Sequence, residues 1–492
     1  MKKRGKMGFY QKEIFTEKIF YHIYPLGAGN CPKSNDYSQP AGNFFEILTG
    51  DLDRIRSLGF NALYIGPIFE STRHGYDTID YYHVDRRLGN NEKFKAFCHE
   101  AHRKGFVIVL DAVFNHTGRD FFAFKDIQRN GQNSQYKDWY LNLNFSQQSN
   151  YGDSFDYEGW AGCKDLVKLN LKNTAVRNHI FGAVNFWIEE FSIDGLRLDA
   201  ADVMDKEFLE ALGSFCRSKK NDFWLMGEVV HGDYNQWCSS NRIDSVTNYQ
   251  LYKAIYSSVD TFNFFELSYN LNREFGQQKG IYKYAPLYNF LDNHDVNRIA
   301  STIKNPKEKL LLIYALMFAV PGIPSVYYGS EYAYRGKRGQ WDDYELRPAV
   351  PPFADLEEFA WPGFDSGFIA EGISKLAEIR KNSVALQKGD YREEMVANRQ
   401  FVFSRNYVGA IDGKKCSDGK ELNNGFESCD GKEGFERVVV ICNCDDKEAL
   451  IDAKPKNDSE VYQDMISGEK IEAFKLRNIL LEKNSFKFLR KI

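Results

Sequence analysis

Eight short, almost continuously apolar runs recur between residues 18 and 331, and each is followed by a helical pattern or a polar loop. They cover 18–25, 60–67, 106–113, 193–200, 223–230, 243–249, 287–295 and 323–331. Unbroken apolar runs of this length suit strands buried on both faces, as in a parallel sheet. Between them, Leu52 to Leu58 and Glu92 to Lys104 read as helices, the second ending at Gly105. Val176, Ile180, Val184, Trp187, Ile188 and Phe191 recur at helical spacing. Eight βα units predict an α/β fold closed into a (β/α)8 TIM barrel. The stretch 116–170 is too long for an ordinary connection and carries Tyr136, Trp139, Tyr140, Tyr151, Tyr157 and Trp160, which predicts a small subdomain inserted after strand three. Beyond Leu386, strand-like runs at 400–407, 436–443 and 485–490 predict a C-terminal antiparallel β-sandwich, with 412–433 as a polar loop. The expected division is 1–115 and 171–385 for the barrel, 116–170 for the insert and 386–492 for the sandwich.

A net charge of −4, spread along the chain, gives no clustered basic face and so argues against a nucleic-acid partner. The longest apolar run, Leu310 to Val320, falls short of the roughly 18 residues of a membrane span, and reads as a buried helix. The basic residues at 1–6 precede no apolar h-region, so no signal peptide is expected. Nine Cys without framework spacing fit free thiols in a reducing cytoplasm. Cys416 and Cys429 flank the polar loop and are the one candidate disulfide. Paired Cys and His at zinc spacing are lacking.

Active sites of such barrels lie at the C-terminal ends of the strands, which directs attention to polar residues that end apolar runs. Asp111, Asn115 and His116 follow the third run, Arg197 and Asp199 the fourth, Glu228 the fifth, and His294 and Asp295 the seventh. Any one acid there serves equally well as a helix cap or turn residue. Together they would gather four carboxyl groups at one rim, where burial is costly without pairing. Glycoside hydrolysis needs two carboxyls across the scissile bond, one protonated and one ionised. Arg197 lies two residues before Asp199, which on a strand is the same face, and its guanidinium would favour an ionised Asp199. Glu228 follows an apolar "FWLMG", which would raise its pKa as an acid requires.

At these residues the sequence resembles the α-amylase family of glycoside hydrolases over about 18–385. "DAVFNH" (111–116), "DGLRLDA" (194–200), "GEV" (227–229) and "FLDNHD" (290–295) are similar to its four signatures, in order. The resemblance implies Asp199 as nucleophile with Arg197 as its companion, Glu228 as acid/base and Asp295 as the third acid. It implies His116 and His294 on the sugar at the cleavage subsite, Tyr76 of "HGYDTIDY" (74–81) stacked beneath it, and Asp77 in the same floor. "DDYELRP" (342–348) resembles the loop after strand eight and implies Asp343 and Arg347 on the next sugar. Asp111 is expected to be structural. "LVKLN" (166–170) and "GPIFES" (66–71) are similar to the neopullulanase, cyclomaltodextrinase and maltogenic amylase group, whose extra N-terminal domain this chain has no room for. After Asp199 the chain reads "AADV" rather than the Lys-His or Asn-Glu pairs of other members. The resemblance implies retaining, endo-type hydrolysis of α-1,4 bonds in maltodextrins, starch fragments or cyclodextrins. The alternatives are a transglycosylase or glucoside isomerase on the same scaffold, and a non-catalytic carbohydrate-binding relative. The chemistry needs no cofactor. Asn115 matches a family calcium ligand, or it hydrogen-bonds within its own loop. The oligomeric state is left open.

Overall fold

The structure, a computed structural model, describes residues 13–239, 241–340, 342–349, 364–409 and 434–492. Cys416 and Cys429 lie outside the described residues. In chain order the strands begin with β1 (Phe20–Ile23), β2 (Ala62–Ile65) and β3 (Val107–Ala112). The insert contributes β4 (His116–Gly118), β5 (Gly159–Trp160) and β6 (Cys163–Lys168). The barrel resumes with β7 (Gly195–Leu198), β8 (Trp224–Gly227), β9 (Ser245–Val246), β10 (Tyr288–Asn289) and β11 (Ile323–Tyr327). Each barrel strand falls inside one of the eight apolar runs.

The eight barrel strands pair in parallel in the order β10-β11-β1-β2-β3-β7-β8-β9. A single parallel bridge, Thr247 with Tyr288, joins the two ends and closes the ring, helped by the Asn248 N–H bond to the Tyr288 carbonyl at 2.9 Å. Inside, Phe20, Ala62, Tyr64, Val109, Trp224, Met226, Tyr288, Phe290 and Ile323 pack as one cluster, so the interior is filled rather than open. The helices Phe44–Ser57, Asn91–Arg103 and Thr174–Phe191 stand where the periodicity places them, the last two capped by the Asn90 and Asn173 side chains. The apolar run at 310–320 is the buried helix Pro306–Ala319.

Glu274, on the helix Phe264–Phe275, is fully buried in this shell and accepts from Asn248 Nδ2 at 2.8 Å and Asn270 Nδ2 at 3.3 Å. Burial pushes its carboxyl up to about 7, against the two amide donors. A folded-state value above the unfolded one favours the protonated form. The group's stabilising contribution is therefore full below its ordinary value and is lost as pH rises through 7. The shift corresponds to about 3 kcal/mol. Glu274→Gln is expected to raise the melting temperature at pH 9 and leave it nearly unchanged at pH 4.5. A variant no more stable than the parent at pH 9 would contradict this.

The insert forms a three-stranded sheet in the order β4-β6-β5, hinged on β4 directly after the third barrel strand. Phe124, Phe155, Tyr140 and Tyr157 pack edge to face behind it. The C-terminal strands are β12 (Asp390–Val396), β13 (Gln400–Gly409), β14 (Gly434–Asn443), β15 (Ala449–Ile451), β16 (Val461–Asp464), β17 (Lys470–Glu472), β18 (Ile479–Leu481) and β19 (Ser485–Lys491). Six form one antiparallel sheet, β12-β13-β14-β19-β16-β17, faced by the two-stranded β15-β18. The sandwich is thus uneven. Along β14, Val438, Val440 and Cys442 join the barrel's core, while Val439 and Ile441 face β15 and β18. The large sheet is therefore covered by the barrel on one side and by the small sheet on the other. Arg380 and Arg405, both fully buried, bind this junction by donating to the carbonyls of Phe318 and Ala319 at the end of the Pro306–Ala319 helix, at 2.8 and 2.7 Å. Cations suit the carbonyl end of a helix.

Candidate active site

Three of the four strand ends named by the sequence meet at one guanidinium. Arg197 on β7 is buried and donates from Nη1 to Asp111 Oδ1 at 2.8 Å and to Asp199 Oδ1 at 2.9 Å. Its Nη2 reaches Glu228 Oε1 at 2.9 Å. Parallel register makes this meeting inevitable. Asp111 on β3 is level with Arg197, and Arg197 is level with Met226, two residues before Glu228. The chain past β7 is pinned by the Asp199 N–H bond to the Ala112 carbonyl, 3.1 Å, and the Glu228 N–H bond to the Leu198 carbonyl, 2.9 Å. Ala200 then adopts φ +49°, a left-handed conformation that costs a residue with a Cβ about 1–3 kcal/mol. The Ala200 N–H donates to Glu228 Oε2, 3.0 Å away.

His294 and Asp295 follow β10. Tyr76 donates its hydroxyl proton to Asp111 Oδ2 at 2.9 Å, so its oxygen accepts from His294 Nε2 at 2.5 Å. The Tyr76 and His294 rings stack at 5.3 Å, and Tyr24 also stacks on His294, at 6.0 Å. Asp295 is paired with His294 Nε2 at 3.0 Å and Arg347 Nη2 at 3.2 Å. Arg347 also meets Asp343 at 3.3 Å and lies over the Tyr24 ring. The loop carrying Arg347 sits directly on Gly27, where a Cβ would strike the Arg347 carbonyl.

The electrostatics of the three acids differ. Burial pushes Asp199 well up; Arg197 opposes this, while nearby Glu228, Asp111 and Asp295 add to it. Glu228 is likewise raised by burial and by Asp295, against Arg197. Burial would also raise Asp295, but His294, Arg347 and Arg197 overcome it and hold that carboxyl well below the ordinary range. Arg197 favours the Asp199 anion, as the sequence predicts, but burial outweighs it. One positive charge is divided among three carboxyls, so burial and mutual repulsion prevail. Asp199 and Glu228 thus titrate as an interacting pair, both held above the ordinary carboxylate range.

Two expected contacts are spent elsewhere. Asp77 is buried beneath its own turn, accepting from the His74 N–H at 3.0 Å and pairing with Arg73 at 3.6 Å, so it braces the 73–77 loop rather than joining the acids. His116 is buried, donates from Nε2 to the Tyr76 carbonyl at 3.1 Å and takes Asn115 Nδ2 on Nδ1 at 3.2 Å. Burial holds it neutral, its pKa lowered to about 3. It braces the backbone of Tyr76, with Trp160 of the insert 5.8 Å from its ring. The calcium expectation fares similarly. The Asn115 carbonyl accepts from Leu169 and its amide is turned to His116. Among the described residues no three His, Cys, Asp or Glu side chains group as metal ligands. Asn115 is thus engaged within its own loop, the other of its two readings.

His22, Tyr24, Tyr64 and Tyr249 were not singled out by sequence. Tyr64 donates to Asp111 at 2.8 Å, and His22 stacks on Tyr64 at 4.0 Å beneath His294. The signal was present, since His22 and Tyr24 end the first apolar run and Tyr249 the sixth, but aromatic residues at a strand end also read as core.

A family model described as the α-amylase catalytic domain matches residues 38–359. The chain belongs to the α-amylase family of glycoside hydrolases. It is 30% identical over 467 residues to a cyclomaltodextrinase of Thermoanaerobacter pseudethanolicus, covering 91% of this chain and 75% of that protein. It is 32% identical to neopullulanase 2 of Thermoactinomyces vulgaris, over 95% of this chain and 78% of the relative. It is 31% identical to the intracellular maltogenic amylase of Bacillus subtilis, over 67% of this chain but 58% of that one. Among solved structures, the cyclic α-maltosyl-(1→6)-maltose hydrolase of Arthrobacter globiformis superposes with a TM-score of 0.75 at 24% identity, covering 98% of this chain and all of that one. At that identity the likeness is one of fold. As an enzyme of this family the chain uses side chains alone for its chemistry, without a cofactor. Among the described residues no helix is long and apolar enough to cross a membrane.

Proposed function

We propose that this enzyme hydrolyses α-1,4-glucosidic bonds within maltodextrins, starch fragments or cyclodextrins, with retention, through a covalent glycosyl-aspartate. Asp199 attacks the anomeric carbon while Glu228 protonates the departing oxygen. Water, deprotonated by Glu228, then releases the sugar. Asp295, held ionised by His294 and Arg347, binds hydroxyls and supports the distorted ring. Tyr76 and His294 form the stacked floor, and Asp343 and Arg347 take the adjoining sugar.

The observation that carries this reading is the shared guanidinium. Asp199 and Glu228 each lie 2.9 Å from a different terminal nitrogen of Arg197. Carboxyls of retaining glycosidases stand about 5–5.5 Å apart, and inverting pairs stand farther. Two acids held by one planar group can approach each other as closely as the former require. Substrate choice rests on the relatives, which bear the names cyclomaltodextrinase, neopullulanase and maltogenic amylase. The cytoplasmic reading rests on the relative named intracellular.

The test is product analysis on maltoheptaose, β-cyclodextrin and pullulan, with the anomer of fresh product read by NMR. Short maltooligosaccharides released first as the α-anomer are expected. Initial release of the β-anomer would overturn the double displacement. Products longer than the substrate, in place of hydrolysis, would move the enzyme to the transferases.

A further inference from the structure

The hydrogen bonds around Glu228 do more than hold it. Oε1 faces two donors, Arg197 Nη2 at 2.9 Å and the Tyr249 hydroxyl at 3.5 Å, while among the described residues Oε2 takes the Ala200 N–H alone. Tyr249 opens the helix Tyr249–Asp260 just past β9. Its direction is fixed by a third residue. Asn293 accepts the N–H groups of Asp295 and Val296 on Oδ1, at 2.8 and 3.1 Å, which turns its Nδ2 outward to donate to the Tyr249 oxygen at 3.2 Å. A hydroxyl that accepts from Asn293 has its own proton free, and Glu228 Oε1 is the acceptor in reach. Hydrogen bonds of this kind are often long before substrate binds and tighten in the complex.

We propose that Tyr249 is a positioning residue that sets the protonation of Glu228. With two donors on Oε1, that oxygen carries the carbonyl or anionic character, and the transferable proton resides on Oε2. Tyr249 stabilises the carboxylate left after the proton departs, so it lowers the cost of donation. Through Asn293 the same chain fixes the backbone of Asp295. Acid/base group and third acid are thereby held in one frame.

This inference rests on Glu228 being the acid. The other groups facing Glu228 are Arg197 and Asp199 from the β7 side, His294 and Asp295 from the end of β10, Asp202 whose N–H bonds the Glu228 carbonyl at 3.3 Å, and Asp111 across Arg197. None is altered by Tyr249→Phe. The experiment is the pH dependence of kcat/KM for this variant on maltotriose and on a nitrophenyl maltoside. Loss of a donor to the charged form is expected to move the basic limb upward by about 0.5–1 pH unit while the acidic limb stays. Activity should fall on maltotriose, whose leaving oxygen needs the proton, and hold on the nitrophenyl substrate. A basic limb that stays or moves down would overturn the proposal. Should Tyr249→Phe not fold, isotope-edited infrared titration of the Glu228 carboxyl in the parent enzyme and in Asn293→Asp decides. The carboxylate introduced there would accept the Tyr249 proton and turn it from Glu228, so an unchanged or lowered midpoint has the same adverse meaning. Glu228→Gln separates the two levels. If it stays active, the assignment of the acid fails. If it is dead while the limb is unmoved in Tyr249→Phe, the Tyr249 inference alone fails.

Discussion

Asp199→Asn is expected to lower kcat on maltooligosaccharides by a factor of about 10^4 or more, with the fold intact. The size follows from the step removed. An amide oxygen cannot form the glycosyl ester, and displacement of an activated nucleophile's chemistry costs several kcal/mol of barrier, each 1.4 kcal/mol being about tenfold. Retention of the fold follows from the local contacts. The amide is the same shape, its oxygen still accepts from Arg197 Nη1, and the Asp199 N–H still bonds the Ala112 carbonyl. Stability should even rise slightly at pH 8, because burial and the neighbouring Glu228 and Asp111 oppose the charge that is removed. Circular dichroism and melting curves check the fold and its stability, and single-turnover kinetics check the chemical step. A variant with near-parent turnover would remove Asp199 from the reaction.

Arg197→Met is expected to damage both stability and activity, and the pH dependence of the damage identifies the cause. The guanidinium is the shared partner of Asp111, Asp199 and Glu228. Removing one member of a buried ionic cluster costs about 3–5 kcal/mol because the remaining charges stay desolvated. Asp199 and Glu228 respond by taking up protons, so their folded-state values rise further above the unfolded ones. Stability from such groups is present at low pH and lost as pH rises through the raised values. The melting temperature should therefore fall much more at pH 8 than at pH 5. Turnover at pH 7 should drop by about 10^3 or more, since the nucleophilic anion is no longer supported. Arg197→Lys should recover little, because one ammonium cannot place two nitrogens on separate carboxylates. Equal destabilisation at both pH values would show that packing, not charge, is what Arg197 supplies.

The sequence identified where the acids stand but misjudged what they share. Asp199, Glu228, Asp295, Arg197, His294 and Tyr76 converge as expected, because each is fixed by its place at a strand end. Asp77 does not, although it adjoins Tyr76. The bend at 73–77 sends the two side chains different ways, so Tyr76 meets His294 while Asp77 turns back to its own loop. His116 lies in the right place with both ring nitrogens engaged, a matter of which backbone carbonyl and which amide happen to face it. The C-terminal sandwich was legible as antiparallel strands, yet its unevenness was not, since strand count says nothing of which face meets the barrel.

What the amino-acid order settles by itself is local. The apolar runs, the helical spacing between them and the polar residues that end each run follow from backbone repeat and burial, and they determine a parallel barrel with its acids at one rim. What only the folded chain decides is how charge and hydrogen bonds are apportioned among residues distant in sequence. One guanidinium serves three carboxyls, Ala200 bends to reach Glu228, and Asn293 directs Tyr249, because those partners depend on inter-strand register and depth of burial. Register and depth belong to the assembled barrel, and no single segment carries them.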